Sequence, residues 1–170
     1  EVGLGTRLRV SLGGWSYTRP RDALAATAPD GSPLRETPGG LYAMSEARLA
    51  QGGRRAVTAF LRGGLARGRT QPFASSVQAG VLVAPAILGR DDSAVSLGLH
   101  RSATSDDFRQ AQLAAGDPAW HSETAVELTY SDRVMPHVTL QPDLQVIRQV
   151  GEAIAARTAV QTTLRVQIAF

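Results

Sequence analysis

Charged and amide side chains recur at every second position in several segments of the chain. In "RLRV" two arginines flank one leucine, and in "SEAR" a glutamate and an arginine flank one alanine. Arginine guanidinium groups donate several hydrogen bonds, carboxylates accept them, and carboxamides do both. Side chains spaced in this way project from one face of a strand, where they could contact the hydroxyl or carboxylate groups of a solute. The candidate residues are Arg7, Arg9, Glu46, Arg48, Arg62, Glu123, Glu127, Gln141, Asp143, Gln145, Arg165 and Gln167.

The same residues have a second interpretation, as part of the wall itself. Oppositely charged side chains on neighbouring strands can pair and hold the strands together, with about 0.2–1 kcal/mol for each pair. Residue types and spacing alone leave both interpretations open.

The residue types that could catalyse a reaction or bind a metal do not occur at the spacing that either chemistry needs. Cysteine is absent, which excludes thiol nucleophiles and cysteine-ligated zinc. His100, His121 and His137 do not have the spacing of metal ligands on a shared face. The glycines come in turn pairs instead of phosphate-binding or dinucleotide-binding motifs, and no Gly-x-Ser-x-Gly elbow is present. We therefore expect no enzyme, no metal and no cofactor.

The composition predicts one folded unit. Hydrophobic residues make up 43% of the 170 residues and charged residues 19%, which is typical of a chain that folds. The net charge is only +3 and the arginines are scattered, so a nucleic-acid partner is not expected. The longest apolar run, "VLVAPAIL", is far shorter than the roughly 20 residues of a membrane-spanning helix. The first residues show neither an initiator Met nor a secretory signal, which favours a processed chain or a fragment.

Hydrophobic alternation with a period of two is the strongest signal in the sequence. It recurs in eight segments separated by Gly, Pro, Asp and Ser clusters, which predicts an all-β protein with antiparallel strands of about 9–13 residues. Two folds share this pattern. A soluble lipocalin-like barrel would bury the apolar face and bind a small apolar ligand, whereas a transmembrane β-barrel would turn the apolar face to lipid and the polar face to its lumen.

Four features favour the transmembrane barrel. The segments match the roughly 9–11 residues of a tilted membrane strand better than the roughly 5–6 residues of a globular one, and their charged residues lie in mid-strand. Trp15, Tyr17, Trp120 and Tyr130 fall near the ends of the predicted strands, as interfacial girdles do. Long and short connections alternate along the chain, as they do in outer-membrane barrels.

Several motifs resemble one known family. The segment "ETAVELTYSDRVMPHVTLQPDLQVIRQVG", followed by "LRVQIAF", is similar to the end of the carbohydrate-selective porins of the OprB type. Upstream, "GGWSYT", "GGLYAMSEARL" and "GRDDSAVSLGL" resemble further stretches of that family in the same order, so the similarity spans nearly the whole chain. The marks of the C-terminal segment are Glu123, Glu127, Tyr130, Pro136, Gln141, Pro142, Asp143 and Gln145.

The resemblance implies a location, a function and partners. It implies a sixteen-stranded, usually trimeric barrel in the bacterial outer membrane, surrounded by lipid, through which small sugars diffuse without catalysis. Residues 1–170 would form a single domain, the C-terminal half of such a barrel, without the N-terminal strands and the signal peptide. The candidate polar residues would line the pore. The alternating last strand and its terminal Phe170 would be the signal for the barrel-assembly machinery.

Overall fold

The computed structural model describes residues 8–151 and 157–169, in which one antiparallel sheet of eight strands dominates. These eight strands neighbour one another in chain order, and a short hairpin, β2–β3, is inserted after the first. The predicted all-β antiparallel architecture is confirmed. The elements are β1 (Leu8–Ser16), β2 (Arg21–Thr27), β3 (Pro33–Glu36), β4 (Gly39–Gly52), β5 (Arg55–Ala66), β6 (Phe73–Ala84), β7 (Ala94–Thr104), α1 (Asp106–Ala114), β8 (Ser122–Met135), β9 (Val138–Val150) and β10 (Arg157–Ile168).

The pairing of neighbouring strands gives the whole sheet two distinct faces, one apolar and one polar. Residues that lie opposite each other on neighbouring strands point to the same side, so the alternation along each strand becomes rows across all eight. One row of the apolar face is Val10, Ser45, Leu61, Ala79, Leu99, Val126, Val146 and Val160. The adjacent row, on the polar face, is Arg9, Glu46, Phe60, Gly80, Gly98, Glu127, Gln145 and Gln161.

The apolar face is the more exposed one. Leu128 is 48% exposed, Leu144 41% and Val166 53%, whereas Glu127 and Gln145 on the other face are half-buried. In the described part of the chain the buried apolar side chains are Ala23, Pro38 and Pro85, and none of them lies in the eight strands of the large sheet. A soluble barrel would have the reverse arrangement because burial of apolar surface is what stabilises it. The lipocalin-like alternative therefore has no support, and the wall has the outward apolar face of a transmembrane β-barrel.

The sheet curves toward its polar face. A single cavity there is lined by residues from five consecutive strands, β5 to β9, which a flat sheet could not bring around one space. In the middle of β9, side chains of the polar face are half-buried while those of the apolar face are exposed. β1 and β10 are the two edges of the sheet and do not pair with each other. The described strands thus form an open trough and not a closed barrel of eight strands.

The connections at the two ends of the sheet differ in size. The long-connection end carries residues 17–38, 67–72 and 105–121, and the short-turn end carries residues 53–54, 85–93 and 136–137. The predicted alternation of lengths fails at one place, because the turn at 85–93 is longer than the connection at 67–72. That turn is nevertheless compact: the hydroxyl of the buried Ser93 accepts a hydrogen bond from Ile87 N at 2.9 Å and donates one to Arg90 O at 2.7 Å.

The first long connection contains the β2–β3 hairpin, which the sequence alternation did not predict. At its tip Asp30 accepts hydrogen bonds from the Ser32 hydroxyl at 2.7 Å and the Ser32 amide at 3.0 Å. These hydrogen bonds hold the pKa of Asp30 below its usual value. The amide of Leu24 donates to Arg69 O at 2.7 Å, so the hairpin is joined to the connection between β5 and β6.

The connection before β8 contains α1, which was also not predicted. Ser105 caps the N-terminus of the helix: its hydroxyl accepts a hydrogen bond from Phe108 N at 3.2 Å and donates one to Gln71 O at 2.8 Å. Trp120, expected in an interfacial girdle, instead packs edge-on against Phe108 with ring centroids 6.1 Å apart. Across the described ranges, no helix has the length and apolar character needed to cross a membrane.

Candidate functional site

The side chains predicted to contact a solute lie on the polar face wherever the structure describes them. β1, β4, β5, β8, β9 and β10 all contribute, because the alternating pattern repeats in each. Arg7 and Phe170 fall outside the described residues. The described candidates are Arg9, Glu46, Arg48, Arg62, Glu123, Glu127, Gln141, Asp143, Gln145, Arg165 and Gln167.

A cavity of about 350 Å³ opens in the middle of the polar face. Its polar lining includes Arg62 from β5, Gln78 from β6, His100 from β7, Glu127 from β8 and Gln145 from β9. The cavity thus brings together three of the predicted residues, while the other candidates lie elsewhere on the same face. Hydrogen-bond donors and acceptors from five strands surround one space that a small polar solute could enter.

A network of amide and hydroxyl donors positions the carboxylates on the β8–β9 side. Gln145 Nε2 donates to Glu127 Oε2 at 3.0 Å across the two strands and to Asp143 Oδ2 at 3.2 Å along its own strand. The Thr129 hydroxyl donates to the other oxygen of Glu127 at 2.8 Å. Because a carboxylate offers about four lone-pair sites, Glu127 keeps capacity to accept from a solute as well.

The charged candidates on this face are not neutralised by one another. None of those that the structure describes makes an ion pair with another described residue. Arg9 and Glu46 lie opposite each other in the register, yet no ion pair joins them. Glu123 accepts from the amide of Gln149 at 2.9 Å instead of from an arginine. For these residues, the interpretation that cross-strand ion pairs hold the wall together has no support.

Ion pairs occur instead in the connections and at the strand ends. At the short-turn end Arg54 Nη1 lies 2.9 Å from Asp91 Oδ2, and Arg90 pairs with the buried Asp132 at the end of β8. The hydrogen bond and the charge of Asp132 raise the pKa of Arg90 above its usual value. The Tyr130 hydroxyl also donates to Asp132, at 2.8 Å. The protein therefore pairs charges where it fixes turns and leaves them unpaired along the polar face.

Three aromatic rings on the polar face lie against glycines of the neighbouring strand. A Cβ at Gly40 would lie only 2.7 Å from Trp15 Nε1, and a Cβ at Gly80 only 2.6 Å from Phe60 Cζ. Glycine is required at such positions because any side chain would occupy the space of the ring. The rings thus lie flat along the wall. The three cross-strand pairs are Trp15–Gly40, Tyr42–Gly13 and Phe60–Gly80.

These rings were missed as candidate site residues. The sequence placed Trp15 in an interfacial girdle, which is wrong, since its register with Gly40 puts it on the polar face. Phe60 is an apolar residue at a polar-face position of β5, where it interrupts the alternation of the sequence. Its ring is covered by the guanidinium of Arg62, with Cζ 4.9 Å from the ring centroid, an arrangement that favours both groups. The break in parity at Phe60 was the available signal; the glycine opposite it could not be identified without the register.

Comparisons with known proteins agree with this architecture. The family model described as "Carbohydrate-selective porin, OprB family" matches residues 9–170. The chain is similar to a solved structure of OprB from Pseudomonas putida at high pH, with a TM-score of 0.81 and 19% sequence identity. The match covers 98% of this chain and 45% of that one, so the chain spans less than half of the similar porin. No curated protein sequence matches the chain significantly.

Proposed function

The chain belongs to the carbohydrate-selective porin family, OprB type, and from this membership we propose that it forms part of the wall of a pore through which small sugars diffuse. Porins of this family are outer-membrane proteins, and the exposed apolar face of the sheet suits contact with acyl chains. The activity requires no covalent step and no cofactor, because the selectivity of a pore comes from its diameter and from the groups along its wall.

The observation that carries the proposal is the set of charged and amide groups on the concave face that have no ion-pair partner among the described residues. A sugar that enters a narrow pore loses hydrogen bonds to water, and each lost bond raises its free energy unless the wall replaces it. In the central cavity Arg62 offers donors and Glu127 offers acceptors, while Gln145 offers its carbonyl oxygen because its amide donates to Glu127 and Asp143. Because neither Arg62 nor Glu127 is in an ion pair with a described residue, both can exchange hydrogen bonds with passing hydroxyl groups without first breaking one.

The distribution of charge across the pore favours the passage of neutral solutes and does not select strongly for cations or for anions. Arginines dominate the β1–β5 side of the trough, and carboxylates dominate the β8–β9 side. A field that runs across the pore attracts dipolar solutes but does not concentrate one kind of ion along the axis. The residues concerned are Arg9, Arg48 and Arg62 on the first side and Glu123, Glu127 and Asp143 on the second.

The aromatic rings supply a second kind of contact. A sugar ring has faces of C–H groups between its hydroxyls, and flat aromatic surfaces such as those of Trp15, Tyr42 and Phe60 can cover such faces while the hydroxyls remain free to bond. Trp15 lies near the long-connection end, and Phe60 lies beside the central cavity. The rings would therefore guide a sugar from the long-connection end toward the polar groups of the cavity.

The complete pore requires more strands than the chain supplies. We propose that residues 1–170 are one domain-forming half of a barrel of about sixteen strands and that β1 and β10 pair with the remaining strands. This is supported by the two unpaired edges of the sheet and by the 45% coverage of the similar porin. Assembly into trimers, and recognition of the last strand and Phe170 by the barrel-assembly machinery, belong to the same proposal.

Liposome swelling tests the proposed function. The full-length porin is reconstituted into liposomes, which are then diluted into isotonic solutions of a neutral monosaccharide, a neutral trisaccharide or a sugar acid of monosaccharide size. We expect rapid swelling in the neutral monosaccharide, slower swelling in the sugar acid and almost none in the trisaccharide. Liposomes that conduct ions but do not swell in the monosaccharide would overturn the proposal.

A further inference from the structure

Two arginines stand on the apolar face of the sheet. Arg101 on β7 and Arg148 on β9 lie in one row, with Thr124 of β8 between them. Both are exposed, and in the described part of the chain neither has a hydrogen-bond or ion-pair partner. Neighbouring strands are about 4.8 Å apart, so the two backbones are separated by about 10 Å, a distance that two long guanidinium side chains can close around one anion.

The other charged residues of this face differ because they are paired. Arg55 donates to the carbonyl oxygens of Pro85 at 3.1 Å and Ala86 at 3.0 Å. Asp132 is buried and bound by Arg90. Both of these groups stabilise the short-turn end of the wall. Arg101 and Arg148 stand near the opposite end and stabilise nothing that the structure describes.

A groove on the apolar face lies beside Arg101. It has a volume of about 740 Å³, and Arg101 forms part of its edge. Leu12, Leu41, Leu65 and Val77 form its apolar sides, and the small residues Ala43 and Gly63 lie between them in the same rows. A groove of this volume with apolar sides can hold part of an acyl chain.

The depth of the arginines in the membrane follows from strand geometry. The distance along β9 from Val138 to Arg148 is about 34 Å, which a tilt of about 40° reduces to about 26 Å along the membrane normal. The apolar band of a transmembrane barrel is about 25 Å tall. Arg148 therefore lies at the edge of the band on the long-connection side, the outer side of such barrels, where lipid headgroups begin.

We propose that Arg101, Arg148 and the adjacent groove bind a phosphate-bearing lipid of the outer leaflet. The two guanidinium groups hold the phosphate by charge-assisted hydrogen bonds, and the groove holds one of its acyl chains. The site requires that the apolar face contact lipid, but it does not depend on the passage of sugars through the pore.

The test uses spin-labelled lipids and the full-length porin reconstituted in phosphatidylcholine. Electron paramagnetic resonance measures the association of spin-labelled phosphatidic acid and of spin-labelled phosphatidylcholine with the protein. We expect the unmodified porin to bind phosphatidic acid more tightly than phosphatidylcholine. In the double variant Arg101→Gln/Arg148→Gln the ratio of the two association constants should fall roughly tenfold. Arg19→Gln removes one exposed charge at the same end of the barrel but off the wall, and it should leave the preference unchanged.

Two further variants separate the headgroup from the acyl chain. A Cβ at Gly63 would come no closer than 3.6 Å to Ser76 O, so Gly63→Val should fold and fill the groove. It should weaken binding of phosphatidic acid without abolishing the preference. The double variant Arg101→Lys/Arg148→Lys keeps both charges and should retain part of the preference for phosphatidic acid. If the Gln double variant does not assemble, the comparison is made with the Lys double variant.

Three results would overturn the proposal. One is an unmodified porin without preference for phosphatidic acid, and another is an equal loss in Arg19→Gln. The third is complete displacement of the lipid by inorganic phosphate at constant ionic strength, which would identify a site for the free anion and not for a lipid.

Discussion

Arg62 on β5 and Glu127 on β8 line the same central cavity, and neither forms an ion pair with any described residue. Two strands, β6 and β7, separate them. The curvature of the sheet turns opposite charges toward a shared space without bringing them into contact. A solute in that space meets a donor on one side and an acceptor on the other.

Replacement of Glu127 by glutamine should make the pore more selective for anions. A unit charge about 10 Å from the path of an ion contributes about 0.4 kcal/mol in water, or about a twofold change in the permeability of each ion. Removal of the negative charge lowers cation permeability and raises anion permeability. The reversal potential of the full-length porin in a planar bilayer with a salt gradient measures the change.

The matched control for this charge change is Asp91→Asn. Asp91 carries the same charge, but it lies in the turn at 85–93 and is paired with Arg54. We expect a smaller shift of the reversal potential than for Glu127→Gln. Equal shifts, or a shift toward cations in Glu127→Gln, would show that Glu127 does not face the ion path.

Alanine at Gly13 should destabilise the wall only when Tyr42 is present. The Cβ of an alanine would lie 2.8 Å from Tyr42 Cε1, and the neighbouring contacts at Gly13 are all with the same ring. We expect a loss of about 1–2 kcal/mol in the unfolding free energy of Gly13→Ala and almost no such loss in a Tyr42→Ala background. Urea unfolding of the reconstituted porin provides all four values of the double-mutant cycle.

Gly98 supplies the control because a Cβ there meets no atom within 4 Å. Gly98→Ala should leave the stability nearly unchanged in either background. If Gly98→Ala and Gly13→Ala cost the same, the close approach of Tyr42 is not the cause of the loss.

The substitution Asp132→Asn should destabilise the short-turn end of the wall more than Asp92→Asn does. Asp132 is buried and accepts from Tyr130 and Arg90, whereas Asp92 pairs with Arg133 at 3.1 Å and both of these side chains are about half exposed. Exposed ion pairs contribute little, so Asp92→Asn should lower the urea midpoint only slightly. Asp132→Asn should lower it clearly and increase proteolysis in the turn at 85–93. The reverse order of midpoints would contradict the assignment of Asp132 as the anchor of that turn.

The eight strands and their faces could be predicted from the sequence because period-two alternation is a local property. The alternation of Val126 and Leu128 with Glu127, for example, is present in the sequence and reappears unchanged in the sheet. The face of Trp15 follows from the same alternation once β1 is known to run unbroken to Ser16, because Trp15 has the parity of Arg9. The sequence did not show that the strand continues past Gly13 and Gly14, so the bounds of the strand were the missing information.

The secondary structure within the long connections could also not be predicted from the hydrophobic alternation. The segment that forms α1 carries an N-cap serine and two aspartates in its first turn, and these local signals would have indicated a helix. The sequence signal for the β2–β3 hairpin is weaker, because its strands are short and their pairing contains a register shift. The central cavity could not be predicted at all, because it requires the curvature of five strands.

The central claim is that the polar face borders an aqueous pore and that the apolar face borders lipid. The chain contains no cysteine, so single cysteines can be introduced at adjacent positions of β8 and labelled in the reconstituted full-length porin. A small water-soluble thiol reagent should label Glu127→Cys and spare Leu128→Cys, while a lipid-phase reagent should do the opposite. The pair Gln145→Cys and Leu144→Cys on β9 should repeat this pattern. Labelling of Leu128→Cys and Leu144→Cys by the water-soluble reagent, with protection of their polar-face neighbours, would contradict the account.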